Sequence, residues 1–249
     1  MSGFVVVIPS RYASERLPGK PLRLIAGRPM IWHVHERARE SEADQVVIAT
    51  DDDRIADAAR AFGATVCMTS AQHGSGTERL AEVCVQNGWP DDQCIVNLQG
   101  DEPLMPATLI NQCAELLDDP DVDLSTLASP LASEGDYRNP NIVKVVRNDI
   151  GDALYFSRAA IPHAREPVNS SLAVETALHH HGIYGYRAAV LKRIVASPPS
   201  PLEICERLEQ LRALGLGLTI RVGVPALRPG PGVDTEDDLK RAEQALNPA

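Results

Sequence analysis

The sequence predicts an α/β protein with a mostly parallel sheet, helices on both faces of that sheet, and a smaller subdomain of irregular strands. Continuous apolar, β-branched runs at 4–8, 45–50 and 94–98 are typical of strands that are buried on both faces. Apolar residues at helical spacing follow each run, an alternation that produces parallel βαβ units. We find no repeat and no linker long enough to separate two domains, so we expect a single domain over residues 1–249.

In the first half, strands and helices alternate regularly. The predicted helices cover 30–40, 52–62, 77–86 and 106–117, and a short strand covers 65–68. Gly63 follows the second helix, where glycine commonly ends a helix, and Pro106 stands near the start of the fourth. We expect Pro9 to end the first strand. Ligands of such sheets bind beyond the carboxyl ends of the strands, so the chemistry is expected there.

In the second half, the alternation is looser. Strands are predicted at 124–128, 142–146, 153–157, 182–187 and 218–224, and helices at 188–196, at 202–214 and from Thr235 onward. The strands between 118 and 187 form either an antiparallel subdomain or a set of edge strands.

Composition excludes several classes of function. The formal net charge of −10 argues against nucleic acid as a partner. The apolar run near the N-terminus is too short for a signal peptide or a spanning helix, so we expect no membrane association. The five cysteines are scattered and form no C-x-x-C pair. Buried thiols in a reducing compartment are therefore expected, and with them a cytoplasmic location.

A stiff cationic loop follows the first predicted strand. Arg11, Arg16 and Lys20 lie within ten residues of one another, framed by prolines and Gly19. In an acidic chain, this concentration of positive charge indicates a specific polyanionic ligand at the sheet edge. The alternative, a solvated basic turn, is equally compatible with this segment taken alone.

Two carboxylates occupy similar places in the predicted fold. Asp101 lies in N-L-Q-G-D-E-P after a core strand, and Asp234 lies in G-V-D-T before the last helix. If both lie on one side of the sheet, they form a magnesium platform for a polyphosphate. Alternatively, Asp101 makes a turn and Asp234 complements a helix dipole.

Three further motifs remain ambiguous. Residues 75–79 (S-G-T-E-R) begin a helix and suit a phosphate or a flat base, although a polar capping box looks similar. The D-x-D at 51–53 fits a metal site less well than a helix start. The triple histidine at 179–181 lacks further zinc ligands, but His180 and Tyr184 share a strand face that suits hydroxyl recognition.

Eight blocks in order resemble one family. They are I-P-S-R-Y-A-S-E-R-L-P-G-K-P-L, H-G-S-G-T-E-R-L-A-E-V, I-V-N-L-Q-G-D-E-P, N-P-N-I-V-K-V-V, A-L-Y-F-S-R-A-A-I-P, H-H-G-I-Y-G-Y-R, S-P-L-E-I-C-E-R-L-E-Q-L-R-A-L and G-V-D-T-E-D-D-L. In this order they resemble the 3-deoxy-manno-octulosonate (Kdo) cytidylyltransferases, also called CMP-Kdo synthetases. The resemblance runs from Val5 to about Leu239. It implies a Rossmann-like fold of the nucleotide-diphospho-sugar transferase type.

The resemblance also implies an activity and a set of site residues. The reaction is CTP plus Kdo giving CMP-Kdo and pyrophosphate, for lipopolysaccharide biosynthesis, with Mg2+ as cofactor. The resemblance also implies a homodimer, with residues 133–186 as the subdomain that serves dimerisation and the sugar-acid pocket. The nucleotide-binding positions are Arg11, Arg16, Lys20, Ser75, Gly76 and Arg79. Arg11 and Lys20 with the metal ligands Asp101 and Asp234 form the catalytic set. The sugar-acid positions are Gln99, Arg158, His180, Tyr184, Glu209 and Gln210.

The chain departs from the family pattern at four positions outside these sets. Ser10, Glu15, His181 and Glu236 replace the usual Ala, Thr, apolar residue and Pro. Rival hypotheses are a cytidylyltransferase for 8-amino-Kdo or a sialic acid, and a non-catalytic nucleotide sensor. S-G-T-E-R and Q-G-D-E-P favour Kdo over 8-amino-Kdo. A sensor is expected to lack Lys20, Asp101 or Asp234, all of which are present. Taken alone, the Glu209–Gln210 pair is more typical of a solvated helix face than of a binding site.

Overall fold

The computed structural model describes residues 3–13 and 17–247. The strands are β1 Phe4–Ser10, β2 Leu24–Ile25, β3 Arg28–Pro29, β4 Gln45–Thr50, β5 Thr65–Met68, β6 Cys94–Asn97, β7 Leu124–Pro130, β8 Lys144–Arg147, β9 Ala153–Ser157, β10 Leu178–Arg187 and β11 Ile220–Gly223. The α-helices are α1 Met30–Arg39, α2 Asp53–Ala61, α3 Gly76–Asn87, α4 Ala107–Glu115, α5 Glu134–Arg138, α6 Ser170–Thr176, α7 Ala188–Val195, α8 Pro201–Glu206, α9 Gln210–Gly215 and α10 Glu236–Leu246.

The main sheet has the strand order β11-β7-β10-β6-β1-β4-β5. β1 pairs in parallel with β4 and β6, β4 with β5, and β7 with β11, whereas β10 runs antiparallel between β6 and β7. The predicted fold class, a mostly parallel sheet with surrounding helices, is confirmed. One alternative for the strands predicted at 124–128 and 182–187 was that they are edge strands. The structure differs from that alternative, because β7 and β10 are internal strands of the main sheet.

The core lies on both faces of this sheet. Along β1, Val5 and Val7 pack into one apolar cluster, while Val6 and Ile8 pack into another on the opposite face. This two-residue alternation with full burial explains why β1 is apolar at every position from Phe4 to Ile8. Burial on both faces leaves the ends of the strands as the place where polar side chains gather.

Pro9 does not end the first strand, contrary to the sequence prediction. β1 continues through Pro9 to Ser10, and these residues pair with Ala49 and Thr50 of β4. The carbonyl of Val7 accepts from Leu98 on the β6 side, so Pro9, two residues on, faces that same side. β6 ends at Asn97, so no strand lies opposite Pro9 on that side. The missing N–H of proline therefore costs no hydrogen bond of the sheet.

Side-chain caps fix the helices that border the site. Ser75 accepts from the N–H of Glu78 at the start of α3, and Gly88, with φ of 63°, ends that helix. Thr235 and Asp238 form a reciprocal capping box at α10. In this way the chain between Gly230 and Thr235 is anchored just before the last helix.

The predicted helix over 202–214 is two helices. α8 ends at Glu206, and Arg207 adopts a left-handed conformation with φ of 52° before α9 begins. Leu208 and Leu211 face the core as expected, being 6% and 0% exposed. Beyond the break, Glu209 contacts Ser75 and Thr77 at the start of α3.

Residues 133–186 contain α5, α6 and the antiparallel pair β8–β9, which extends the sheet from β10. Lys144 of β8 is fully buried and donates to the carbonyls of Asn139, Ile142 and Arg158 at 2.6–2.8 Å. Its ammonium thus ties two loops to the sheet. That this segment serves dimerisation stays a prediction. Within the described residues, no helix combines the length and apolar character needed to cross a membrane.

Candidate active site

A cavity of about 810 Å3 opens at the carboxyl ends of β1 and β6. Arg11 follows β1 directly, and Gln99 and Asp101 follow β6 across the sharp turn at Gly100. A Cβ at Gly100 would lie 2.9 Å from the carbonyl oxygen of Pro9, so only glycine permits this close approach of the two segments. The two parallel strands therefore deliver a cation and a carboxylate to one cleft.

Lys20 enters the same cleft from the loop that follows β1. Gly19 adopts φ of 65°, and a short 3-10 turn, Lys20–Leu22, follows it. Leu17 and Pro21 are buried and anchor the loop from within. Arg16, predicted to bind nucleotide, lies outside the described residues.

Lys20 lies between the two predicted metal ligands. Its Nζ donates to Asp101 Oδ2 at 2.6 Å and to Asp234 Oδ1 at 3.0 Å. A backbone hydrogen bond of 2.8 Å from Val233 N to Asp101 O joins the two segments. Residues separated by 81 and 214 positions in the chain thus meet at one point, as the sequence predicts for a carboxylate platform.

The charges at this point perturb one another. Burial lowers the pKa of Lys20, but the attraction of Asp101 and hydrogen bonds to both carboxylates outweigh it, so the pKa is raised. Burial raises the pKa of Glu102 to about 8, and the neighbouring Asp101 and Asp234 add to that rise. The site therefore concentrates negative charge that Lys20 compensates only in part.

A smaller cavity of about 90 Å3 continues from the cleft, sharing Arg11 and Gln99 with it. Ser75, Gly76 and Arg79 line its far wall, at the start of α3. A Cβ at Gly76 would lie 3.4 Å from the Pro9 ring, at van der Waals distance, so the start of α3 packs against the end of β1. The predicted nucleotide-binding positions that the structure describes thus lie along one continuous wall.

Arg79 is buried, with 3% of the residue exposed. Its Nη1 donates to Thr69 Oγ1, and its Nη2 lies 3.3 Å from Asp51 Oδ2. Asp52, by contrast, caps α2 by accepting from Arg54 N at 3.0 Å. The helix-start interpretation of the D-x-D motif therefore fits Asp52, while Asp51 has a different partner.

Glu209 joins the start of α3 to the second half of the chain. Its two carboxylate oxygens accept from Ser75 Oγ and Thr77 Oγ1, each at 2.8 Å. Together with Gln210 and Tyr184, it also lines a pocket of about 30 Å3 between the helices and the sheet. These three predicted sugar-acid positions are brought together.

His180 supports Tyr184 rather than lining that pocket. Its ring lies 5.3 Å from that of Tyr184 and 5.0 Å from that of Phe156, and its Nε2 is 3.1 Å from Thr126 Oγ1. Burial, with smaller contributions from His181 and His179, lowers the pKa of His180 to about 3. The imidazole is therefore neutral at pH 7.

The structure does not bring Arg158 to these cavities. Its Nε donates to the carbonyl of Glu206 at 2.8 Å and its Nη1 to the carbonyl of Pro140 at 3.0 Å. Its backbone N–H donates to the Glu206 carboxylate at 2.9 Å. The guanidinium is thus held by the α8 end and the loop before β8.

Three residues of the site were missed by the sequence analysis. Thr77 shares Glu209 with Ser75, while Thr69 and Asp51 contact Arg79. Thr77 lies within the S-G-T-E-R block, and Asp51 within D-x-D, so both carried a signal. Thr69 carried none, because a threonine after a short strand is ordinary.

Among residues 3–13 and 17–247, no group of three or more His, Cys, Asp or Glu side chains is arranged to hold a metal ion. The rings of His179 and His181 lie 4.9 Å apart at an angle of 55°, and His181 Nε2 lies 2.8 Å from Ser129 Oγ.

Comparison with known families bears on this arrangement. A family model described as cytidylyltransferase matches residues 5–220. The chain belongs to the cytidylyltransferase family. A solved structure of a CMP:2-keto-3-deoxy-manno-octonic acid synthetase complexed with CTP is 42% identical, with a TM-score of 0.88. The match covers 98% of each chain. The resemblance stated from the sequence motifs is therefore confirmed at the level of the family.

Two further solved structures share the fold. A 4-diphosphocytidyl-2C-methyl-D-erythritol synthase is 13% identical, with a TM-score of 0.65, and the match covers 98% of this chain and 99% of that one. A putative glucose-1-phosphate thymidylyltransferase from Bacillus anthracis is 16% identical, with a TM-score of 0.68, and covers 99% of this chain and 96% of its own. At these identities the similarity shows the fold alone.

Proposed function

We propose that this cytidylyltransferase transfers CMP from CTP to Kdo, giving CMP-Kdo and pyrophosphate. One observation carries the proposal. The 42% identical synthetase matches over 98% of both chains, and in this chain Lys20, Asp101 and Asp234 meet in one cleft. The same comparison supports CTP as the nucleotide substrate. Lipopolysaccharide biosynthesis is the pathway that this product implies.

In the proposed reaction, the anomeric hydroxyl of Kdo attacks the α-phosphorus of CTP in line, and pyrophosphate leaves with its bond to that phosphorus broken. Positioning and charge neutralisation account for most of such catalysis. Arg11 and Lys20 lie on the same cleft wall, where they neutralise charge on the triphosphate and the leaving group.

The donor set fits magnesium. Asp101 and Asp234 direct one oxygen each at a single cation, the Lys20 ammonium. Magnesium is commonly bound by one or two carboxylates together with substrate phosphates and water, so these two residues would hold it. When bound, it supplies neutralisation of the phosphate oxygens. Lys20 is then available to pair with a phosphate oxygen, since its side chain is 14% exposed and reaches the cavity.

The sugar acid is proposed to lie between Gln99 and the pocket of Tyr184, Glu209 and Gln210. Their side chains offer donors and acceptors for several hydroxyls, and a pocket of this kind rejects analogues that leave its groups unpaired. Kdo also carries a carboxylate, for which Arg158 stays the predicted partner. To reach it, Arg158 must exchange its two carbonyl contacts for a bidentate carboxylate contact.

The experiment that tests this function measures pyrophosphate release from the purified chain with CTP and magnesium. Kdo, 8-amino-Kdo and a sialic acid are supplied in turn, and each assay is repeated with EDTA. We expect release with Kdo, and none with EDTA. Preference for another acid would contradict the proposed acceptor. Absence of release with all three would favour the nucleotide sensor.

We also propose a homodimer that forms through residues 133–186. Ile150 and Leu154, beside and within β9, are 69% and 60% exposed. Exposed apolar side chains of this size support an interface in this segment. Light scattering is expected to give twice the chain mass, and Leu154→Lys to reduce it to one. A monomeric wild type would contradict the assembly. The cytoplasmic location stays a prediction.

A further inference from the structure

The D-x-D motif at 51–53 has no part in the proposed reaction, and the structure gives its three residues different environments. Asp52 caps α2 and pairs with Arg54. Asp53 is exposed in the first turn of α2. Asp51 lies 3.3 Å from the buried guanidinium of Arg79. The first carboxylate of the motif is therefore the one that faces the candidate active site.

Asp51 and Thr69 together hold the Arg79 guanidinium. Asp51 follows β4 and Thr69 follows β5, and these strands are paired in the sheet. Thr69 Oγ1 donates to the carbonyl of Thr50 at 3.2 Å, so a lone pair of that hydroxyl remains to accept from Arg79. The two side chains that contact Arg79 each come from a residue directly after a strand, and the two strands are paired. Arg79 is therefore held rigidly.

Because this ion pair is buried, it is sensitive to the removal of the charge on either partner. The side chains of Arg79 and Asp51 are 4% and 18% exposed. A guanidinium buried this far requires a counter-charge, and removal of one partner leaves an uncompensated charge behind. Arg79 has five N–H donors, of which the contacts to Asp51 and Thr69 engage only part. Arg79 also lines the smaller cavity with Ser75 and Gly76, where a ligand can engage the others.

We propose that the nucleotide base binds in the smaller cavity and that Asp51 is a positioning residue, which holds Arg79 there and thereby sets the preference for cytosine over uracil. The proposal rests on the proposed function. Cytosine presents two neighbouring acceptors, O2 and N3, to a donor-only guanidinium, whereas uracil presents an N–H at position 3. A guanidinium that is held in place directs an N–H donor at the uracil N–H, which is unfavourable. A guanidinium that has lost its carboxylate partner can move away from that N–H.

The test compares the binding of CTP and of UTP to the full chain by titration calorimetry, with magnesium and without a sugar acid. Asp51→Asn is expected to weaken CTP binding by about tenfold and to leave UTP binding within about twofold, because the lost contact orients a charged donor. The ratio of the two affinities then falls by about tenfold. Asp53→Asn, the matched control two residues away, is expected to keep the wild-type ratio.

A second variant guards against misfolding. Thr69→Val keeps the charge pair and the side-chain shape but removes the hydroxyl that accepts from Arg79, so its CTP-to-UTP ratio is also expected to fall. A purely structural role would lower Tm and weaken both nucleotides equally, and an unchanged ratio in both variants overturns the inference. If Asp51→Asn does not fold, the ratio in Thr69→Val decides.

Failure of the proposed function gives a different pattern. Wild-type protein that binds neither nucleotide contradicts both proposals. Wild-type protein that prefers CTP, with equal preference in Asp51→Asn and Thr69→Val, contradicts this inference alone. Because no sugar acid is present, an error in the proposed acceptor leaves the comparison unaffected.

Discussion

Ser75 donates its hydroxyl to the carboxylate of Glu209 at 2.8 Å, across 134 residues of sequence. The same hydroxyl caps α3 by accepting from Glu78 N. One side chain therefore links the predicted nucleotide wall to the predicted sugar-acid wall. A change at Glu209 is transmitted to the start of α3, where the nucleotide is expected to bind.

Replacement of Glu209 by Gln tests this link. An amide has one acceptor oxygen where the carboxylate has two, so either Ser75 or Thr77 loses its acceptor. We expect KM to rise by about tenfold for the sugar acid and also, by a smaller factor, for CTP, since the lost bond is charge-assisted. Steady-state kinetics with each substrate varied in turn measures both constants.

Glu243→Gln is the matched control, because Glu243 is exposed in α10. It is expected to leave both constants unchanged. A rise in KM for the sugar acid alone, with KM for CTP unaltered in Glu209→Gln, would contradict the link between the two walls.

Asp101→Asn is expected to lower kcat by at least about a thousandfold, because it removes a carboxylate from the phosphate-binding cation site. Stability is expected to change little, since Lys20 keeps its contact with Asp234. The measurements are pyrophosphate release over a range of magnesium concentrations and thermal unfolding. Asp91→Asn, which breaks the exposed pair with Lys192, serves as the control. Near-normal turnover in Asp101→Asn would remove that residue from the proposed metal site.

Much of the fold could be predicted because the apolar runs report burial directly. The strands predicted at 45–50, 65–68 and 153–157 have the observed bounds. The prediction that Pro9 ends the first strand was wrong. A strand tolerates proline at a given position when the neighbouring strand on that side has already ended, and the sequence does not show where that is. The break at Arg207 was also invisible, since no glycine or proline marks it. It is fixed by tertiary contacts, among them those of Glu209.

The candidate site was predictable where residues follow strands and less so elsewhere. Arg11 and Asp101 come directly after core strands, so the sheet topology fixes their place. The direction of the Arg158 guanidinium could not be derived, because its observed partners are backbone carbonyls that carry no sequence signal. Thr69 was missed for the related reason that its role depends on a partner ten residues away.

The partly buried His181 predicts how stability varies with pH. Burial lowers the pKa of His181 to about 3, with further contributions from His179 and Arg228, whereas the ordinary value is 6.5. Below pH 6.5, the unfolded chain therefore binds a proton at His181. The folded chain binds that proton only at about pH 3. Stability falls as the pH decreases across that window, by at most about 1.4 kcal/mol per pH unit for each such group.

His181→Val removes one of these groups and places an apolar residue where the resembled family usually has one. Urea unfolding at pH 7 and pH 5 is expected to show a smaller loss of stability in this variant than in the wild type. His163→Gln changes an exposed histidine and is expected to follow the wild type. An equal loss in His181→Val and wild type would show that His181 is protonated in the folded chain.

Ser10→Ala is expected to stabilise the protein. Ser10 is 4% exposed, and its hydroxyl has no hydrogen-bond partner among the described residues. A buried hydroxyl without a partner costs about 1–3 kcal/mol, so its removal is expected to raise the free energy of unfolding by about 1 kcal/mol. For a chain of this length, that corresponds to a rise in Tm of about 3 °C.

Nucleotide binding decides what the hydroxyl contributes, because Ser10 lines both the main cleft and the smaller cavity. Differential scanning calorimetry of the ligand-free chain gives the change in Tm, and a CTP titration gives the change in affinity. A rise in Tm with unchanged affinity identifies the hydroxyl as unsatisfied in both states. A rise in Tm with weaker CTP binding means that the nucleotide supplies the missing partner. A fall in Tm contradicts the prediction, since it requires a partner for the hydroxyl in the ligand-free chain.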